Sequence, residues 1–205
     1  MQTKFELLDL LKVPFLYNLF QDCIGGNALR HRFIRKHVRA KAGDKVIDIG
    51  CGPAQILPWL PAVEYLGLDL SQVYIASAKR KYSDRGIFVV GDTKTAWNDP
   101  RFRDADIVMA LGILHHLDDE EAAHCLRFAY RVLKNGGRFV SFDACWVPNQ
   151  GRLSRYIMSK DRGQNVRTED AYRHLAGNVF QKVTSLVDMK PMRIPYVLII
   201  LECEK

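Results

Sequence analysis

Two histidines, three carboxylates and two glycines are the residues of this chain whose types and spacing can do chemistry together. His115 and His116 are adjacent in Leu111-Gly-Ile-Leu-His-His-Leu117. An imidazole, with an unperturbed pKa of about 6.5, takes up and returns a proton at neutral pH. Gly50 and Gly52 stand in Val46-Ile-Asp-Ile-Gly-Cys-Gly-Pro-Ala54. Without a Cβ there, the backbone turns tightly and comes close to a ligand. Asp48, two residues before Gly50, offers a carboxylate to a cationic amine or to the N–H groups of that loop. Asp69 follows Gly52 by 17 residues, a position from which an acid takes both hydroxyls of a ribose. Asp92, in Gly91-Asp92-Thr93, is placed for an exocyclic amine.

These side chains need a scaffold that gathers them, and the hydrophobic period supplies one. Residues 5–20 read as an amphipathic helix broken near Pro14. Gly25-Gly26-Asn27 reads as a turn, and Ala28 to Arg39 as a helix with Leu29, Phe33 and Val38 inside. From Asp44 the pattern becomes β-branched and alternates with helical stretches. Strands are predicted at 44–50, 63–69, 87–90, 106–111 and 138–143, with helices at 71–80, capped by Ser71, and 119–133. Asn135-Gly136-Gly137 is read as the stop of the second helix. Such alternation means βαβ units and a mostly parallel sheet. Val183 to Met189 and Tyr196 to Glu204 are joined by a link too short for a crossover helix, so they should pair antiparallel.

Open sheets of this kind bind ligands outside the carboxyl ends of their strands, where the strand order reverses. Asp48, Gly50, Gly52, Asp69 and Asp92 all fall at predicted strand ends. A nicotinamide dinucleotide wants a third glycine, but Gln55 stands there, and Pro58 and Pro61 break the following helix as a phosphate seat. Asp48 would repel phosphate as well. The loop suits a ligand with ribose, adenine and an amino group but no phosphate.

At this point the chain resembles the class I S-adenosylmethionine-dependent methyltransferases, in particular their small-molecule, ubiquinone-biosynthesis-like (methyltransferase type 11) branch. The residues that carry the likeness are Val46 to Ala54, Gly67-Leu-Asp69, Gly91-Asp92, Leu111 to Leu117 and Leu133-Lys-Asn-Gly-Gly137. Ala54 replaces a third glycine that many members have, and Asn135 replaces their usual proline. The resemblance implies a single α/β domain over 1–205, with a Rossmann-like, doubly wound sheet of seven strands. The sheet would be mostly parallel, end in an antiparallel C-terminal pair and carry helices on both faces. Residues 1–42 would form an N-terminal helical cap, and 147–181 an insertion that builds part of the acceptor pocket.

For the site, the resemblance implies that Gly50 and Gly52 line the methionine part of S-adenosyl-L-methionine. Asp69 and the neighbouring Leu70 would hold the ribose end, Asp92 and Thr93 the adenine, and Leu111 the methionine from the fourth strand. Tyr17 closes such sites in related enzymes, and Arg30 or Arg32 is placed to pair with the methionine carboxylate. Methyl transfer from a sulfonium needs alignment and the disposal of a proton. Phosphobase methyltransferases have a similar Leu-His-Leu in which the histidine acts, so His116 is the first candidate base and His115 the second. Trp146, Tyr156, Arg162 and Arg167 lie in the insertion, and arginine suits a planar anion. The acceptor is therefore expected to be small and possibly acidic.

Composition bounds the rest. The 205 residues carry a formal charge of +7, with 48% hydrophobic and 26% charged residues, an ordinary globular balance. The excess charge divides unevenly: +5 in residues 1–42, +3 in 148–173 and −1 in the remainder. Two readings stand: solvated helix faces, or two segments flanking one site for an anionic ligand. Five scattered cysteines without a C-x-x-C pair exclude a standard zinc site and point to a reducing, cytoplasmic setting. No secretory leader and no membrane span is expected. The sequence pI of about 9.2 keeps an RNA methyltransferase open. The chain lacks an Asn/Asp-Pro-Pro-aromatic run and a separate RNA-binding module, so nucleic acid is the less favoured partner. A non-catalytic cofactor-binding protein of the same fold is the third reading. A monomer or homodimer is expected.

Overall fold

A computed structural model describes residues 26–160 and 163–205. The predicted helix over 5–20, with Tyr17, lies outside the described residues, as does Arg162. The strands are β1 (Lys45–Ile49), β2 (Glu64–Asp69), β3 (Gly86–Val90), β4 (Ala105–Leu111), β5 (Leu133–Trp146), β6 (Arg167–Thr168), β7 (Lys182–Asp188) and β8 (Leu198–Glu204). The helices are α1 (Gly26–Phe33), α2 (Gln72–Tyr82), α3 (Asp119–Val132), α4 (Arg152–Ser159) and α5 (Glu169–Gly177).

Seven strands form the sheet in the order β3-β2-β1-β4-β5-β8-β7, and the two-residue β6 adds an eighth beside β5. Strands β1 to β5 pair in parallel, whereas β8 is antiparallel to both β5 and β7. The order reverses between β1 and β4, which puts the switch point at the glycine loop after β1.

Strand alternation builds a core on each face of the sheet. Ile47, Val108 and Phe139 join Leu126 and Phe128 of α3 and Tyr172 of α5 on one side. Val46, Ile107, Met109 and Val140 join Phe33, Val38 and Ile75 on the other. Helix α2 starts at Ser71, whose Oγ accepts from Tyr74 N at 3.3 Å. Helix α3 starts at a reciprocal cap between Asp118 and Glu121.

Three local expectations change. Gly26 and Asn27 open α1 instead of forming a turn. Beyond Phe33 the helix widens into a π turn over Ile34–Val38, closed by Arg39 at φ 51°. Asn135-Gly136-Gly137 belongs to the first stretch of β5, where the register against β4 shifts between Ala105 and Ile107. Helix α3 therefore ends directly in the extended Leu133, and Gly137 passes close to the Ala105 carbonyl, where a Cβ would come within 2.8 Å of it.

Candidate functional site

The glycine loop is tied to the end of β2 by its own backbone. Gly50 N and Cys51 N both donate to Leu68 O, at 2.7 and 3.1 Å. Asp69 then holds the loop with one carboxylate oxygen, accepting from Gly52 N at 2.8 Å, and the first turn of α2 with the other, accepting from Ser71 N at 2.8 Å. Gly50 and Gly52 have φ of 71° and 54°, a region that suits glycine. A Cβ on Gly50 would run into Ile113 at 2.2 Å, and one on Gly52 would meet nothing within 4 Å. Among the described residues, nothing fills the space in front of Gly52.

Asp48 sits beneath this loop, 2% exposed. Its Oδ2 accepts from the Tyr65 hydroxyl at 2.6 Å, and its Oδ1 has no hydrogen-bond partner among the described residues. Burial pushes the Asp48 carboxyl up to about 7, with the Tyr65 bond acting against burial and the Asp69 charge acting with it. A buried carboxylate with one idle oxygen fits the cationic amino group of a ligand laid over the glycines.

Asp92 follows β3 and caps a turn: its Oδ1 accepts from Thr95 N at 2.8 Å. That backbone bond holds its carboxyl below the ordinary carboxylate range. Thr93 beside it is buried, whereas Leu70, after Asp69, is 72% exposed at the rim. Leu111, the last residue of β4, is half-buried against the core. Arg30 lies on α1 and donates to Asn27 Oδ1 at 3.1 Å.

The histidine loop joins β4 to α3. Gly112 N donates to Phe142 O at 2.7 Å, which fastens the loop to β5. His115 is buried, and its Nδ1 lies 2.9 Å from Asp143 Oδ1 near the end of β5. Its backbone N also donates to that oxygen, at 3.2 Å. Burial pushes the Asp143 carboxyl upward, with the bonds from His115 acting against it. His116 is exposed and lies against His115, ring centroids 4.3 Å apart. Gly163 closes over the pair: a Cβ there would lie 1.9 Å from His115 Cδ2.

Asp143 was not among the residues singled out from the sequence. It stands near the end of a strand, as Asp69 and Asp92 do at theirs, and the same signal would have found it.

The insertion residues divide. Arg167 is buried and spends its guanidinium on the histidine loop. It donates to Leu114 O (2.8 Å), Leu117 O (2.7 Å), Asn165 O (3.0 Å) and Asp119 Oδ1 (2.9 Å). Trp146, at the end of β5, has the Arg155 guanidinium 5.8 Å from its ring centroid. Tyr156 is 62% exposed on α4. The basic N-terminal segment is likewise partly engaged within the chain. Arg32 pairs with Asp188 at 2.7 Å, and Arg39 with Glu202 at 2.5 Å. Among the described residues no cluster of metal-ligating side chains occurs, and no helix is long and apolar enough to cross a membrane.

Comparison with known proteins agrees with this geometry. Residues 47–141 match the methyltransferase domain family that takes in the type 11 enzymes. The 27-O-demethylrifamycin SV methyltransferase of Amycolatopsis mediterranei is 34% identical over 122 residues, 55% of this chain and 43% of that protein. The ubiquinone/menaquinone biosynthesis C-methyltransferase UbiE of Desulfotalea psychrophila is 33% identical over 119 residues, 53% of this chain and 46% of that protein. The chain thus spans less than half the length of these curated relatives. A TehB-like SAM-dependent methyltransferase from Corynebacterium glutamicum shares the fold with a TM-score of 0.62 at 20% identity, covering 86% of this chain and 88% of its own. The glycine loop, the acids at successive strand ends, the sheet order and these matches make the chain similar, over residues 47–141, to the class I S-adenosylmethionine-dependent methyltransferases.

Proposed function

We propose that this protein transfers a methyl group from S-adenosyl-L-methionine to a small-molecule acceptor, with His115 as the base that takes the acceptor's proton. The observation that carries the reading is the buried His115–Asp143 pair, 2.9 Å apart, on a loop whose Ile113 packs against Gly50. Gly50, Gly52, Asp48 and Asp69 would hold the cofactor: the glycines by close backbone approach, Asp48 through its idle oxygen, Asp69 through its remaining lone pairs. Asp92, Thr93, Leu70 and Leu111 would border the adenine, ribose and methionine parts. When bound, S-adenosyl-L-methionine supplies an electrophilic methyl group on a positively charged sulfur. The chain's own part is to orient the acceptor, exclude water and move one proton.

Asp143 favours the His115 tautomer with the proton on Nδ1, which makes Nε2 the basic nitrogen of the ring. His116 is the secondary candidate, because it is exposed whereas His115 is buried against Asp143. The acidic-acceptor part of the reading rests on Arg162, since Arg167 is used within the chain. Arg162→Ala should raise the acceptor KM while the cofactor Kd stays unchanged; equal loss of both speaks against it. The buried free thiols of Cys51, Cys125, Cys145 and Cys203 suit a reducing, cytoplasmic setting. Arg32 and Arg39 neutralise acids of this chain, which supports a small acceptor over RNA.

The decisive experiment is calorimetry with S-adenosylmethionine and with NADH, followed by a screen of phenols, acids, amines and sugars read by S-adenosylhomocysteine release. Heat with the first ligand and turnover with one acceptor class is the expected result. Heat with NADH alone overturns the proposal.

A further inference from the structure

We propose that Tyr65 is a positioning residue for Asp48, holding its carboxylate by a 2.6 Å hydrogen bond so that the second oxygen stays available to the cationic end of the cofactor. The inference rests on the cofactor reading above and adds to it a residue remote from the glycine loop in sequence.

The place of the phenol is built into the sheet. Tyr65 is the second residue of β2, in register with Val46 of β1, and Asp48 is in register with Gly67. All four point to the same face. A Cβ on Gly67 would lie 3.1 Å from Tyr65 Cε1, and one on Gly86 of β3 would lie 2.9 Å from Tyr65 Cδ1. Glycine at both positions leaves the ring room. Packing alone would be served by phenylalanine. The hydroxyl is buried with the rest of the side chain, 2% exposed, and a buried hydroxyl is costly unless it is bonded. Its bond goes to Asp48.

The groups that face Asp48 are two neutral ones and one acid. Among the described residues they are Tyr65 from β2, Cys51 from the glycine loop and Asp69 at the end of β2, with no cation among them. Burial and Asp69 disfavour its ionised form, so that the carboxyl titrates at about 7, and Tyr65 is the neighbour that favours ionisation. An amino group of the cofactor is met well by a carboxylate and poorly by a neutral acid. Removing the hydroxyl should therefore move the titration of Asp48 upward and confine good binding to higher pH. Hydrogen bonds to charged groups are strong enough to shift such a titration by about one pH unit or more.

The test measures S-adenosylhomocysteine affinity by calorimetry for wild type and Tyr65→Phe between pH 6 and 9. The ligand's own amino group titrates alike in both titrations, so it cancels in the ratio of the two Kd values. That ratio should be about tenfold at pH 6 and fall to within twofold by pH 9. Asp48→Asn should give weak binding in which Tyr65→Phe makes no further difference. A ratio that stays constant across the range, or equals one throughout, overturns the inference. If wild type fails to bind the ligand at any pH, the cofactor reading itself falls.

Discussion

The two histidines behind β4 are neighbours in sequence and opposites in setting. His115 is buried against Asp143, and His116 stands exposed on the outer side of its ring. Proton transfer by a positioned side chain is worth about 10²–10⁴-fold. His115→Ala should therefore lower kcat by about that factor and leave the S-adenosylhomocysteine Kd unchanged. His116→Ala should lose under tenfold, an estimate below the range for a positioned acid or base. Asp143→Asn should lower kcat as well, because the amide no longer favours the proton on Nδ1. Steady-state kinetics with calorimetry on the same preparations checks all three. The sequence points to this loop and ranks His116 first, by likeness to a Leu-His-Leu pattern. Burial and the Asp143 contact depend on how β4 and β5 lie side by side, and no local pattern carries that. Tyr65 was silent for the same reason: its partner is 17 residues away on the adjoining strand.

At the scale of elements, the histidine loop owes its shape to β6, the shortest strand in the sheet. Pairing of Cys145 with Arg167 and of Trp146 with Thr168 brings the guanidinium beneath residues 114–119. There it satisfies the Leu114 and Leu117 carbonyls. Arg167→Ala would strand these acceptors, at a cost of about 2–4 kcal/mol. Chemical denaturation should show that loss and turnover should fall with it. Arg167→Lys should restore little of either, since an ammonium lacks the planar fork. Strand and helix positions from β1 to α3 were legible because buried β-branched runs, the Ser71 cap and the acidic first turn of α3 are local signals. The segment after β5 was not. Helices α4 and α5 are only 8 and 9 residues long, and Arg167, which looks like a surface charge, is buried by contacts remote in sequence.

For the molecule as a whole, the buried acid beneath the glycine loop ties stability to pH. Folding raises the Asp48 pKa from 3.8 to about 7. Below about pH 4 both states are protonated and the folded state bears no penalty. Between about pH 4 and 7 the unfolded chain ionises while the folded chain keeps its proton, so stability falls as pH rises, and it levels off above 7. Thermal unfolding at pH 5 and pH 8 should show a larger decline for wild type than for Asp48→Asn. An amine-bearing cofactor offsets that decline, so its stabilising effect should grow over the same interval.

The pairing of β6 with the end of β5 bears on which part of the intervening segment can vary. Trp146 and Thr168 act as two hinge pins of one bracket, with 21 residues strung between them. The outward part of that string, α4 and its exposed Leu153 and Tyr156, can be rewritten while the pins keep the histidine loop in place. Grafts confined to α4 should thus leave the fold intact, and grafts that cut across Arg167 should unseat the loop it braces.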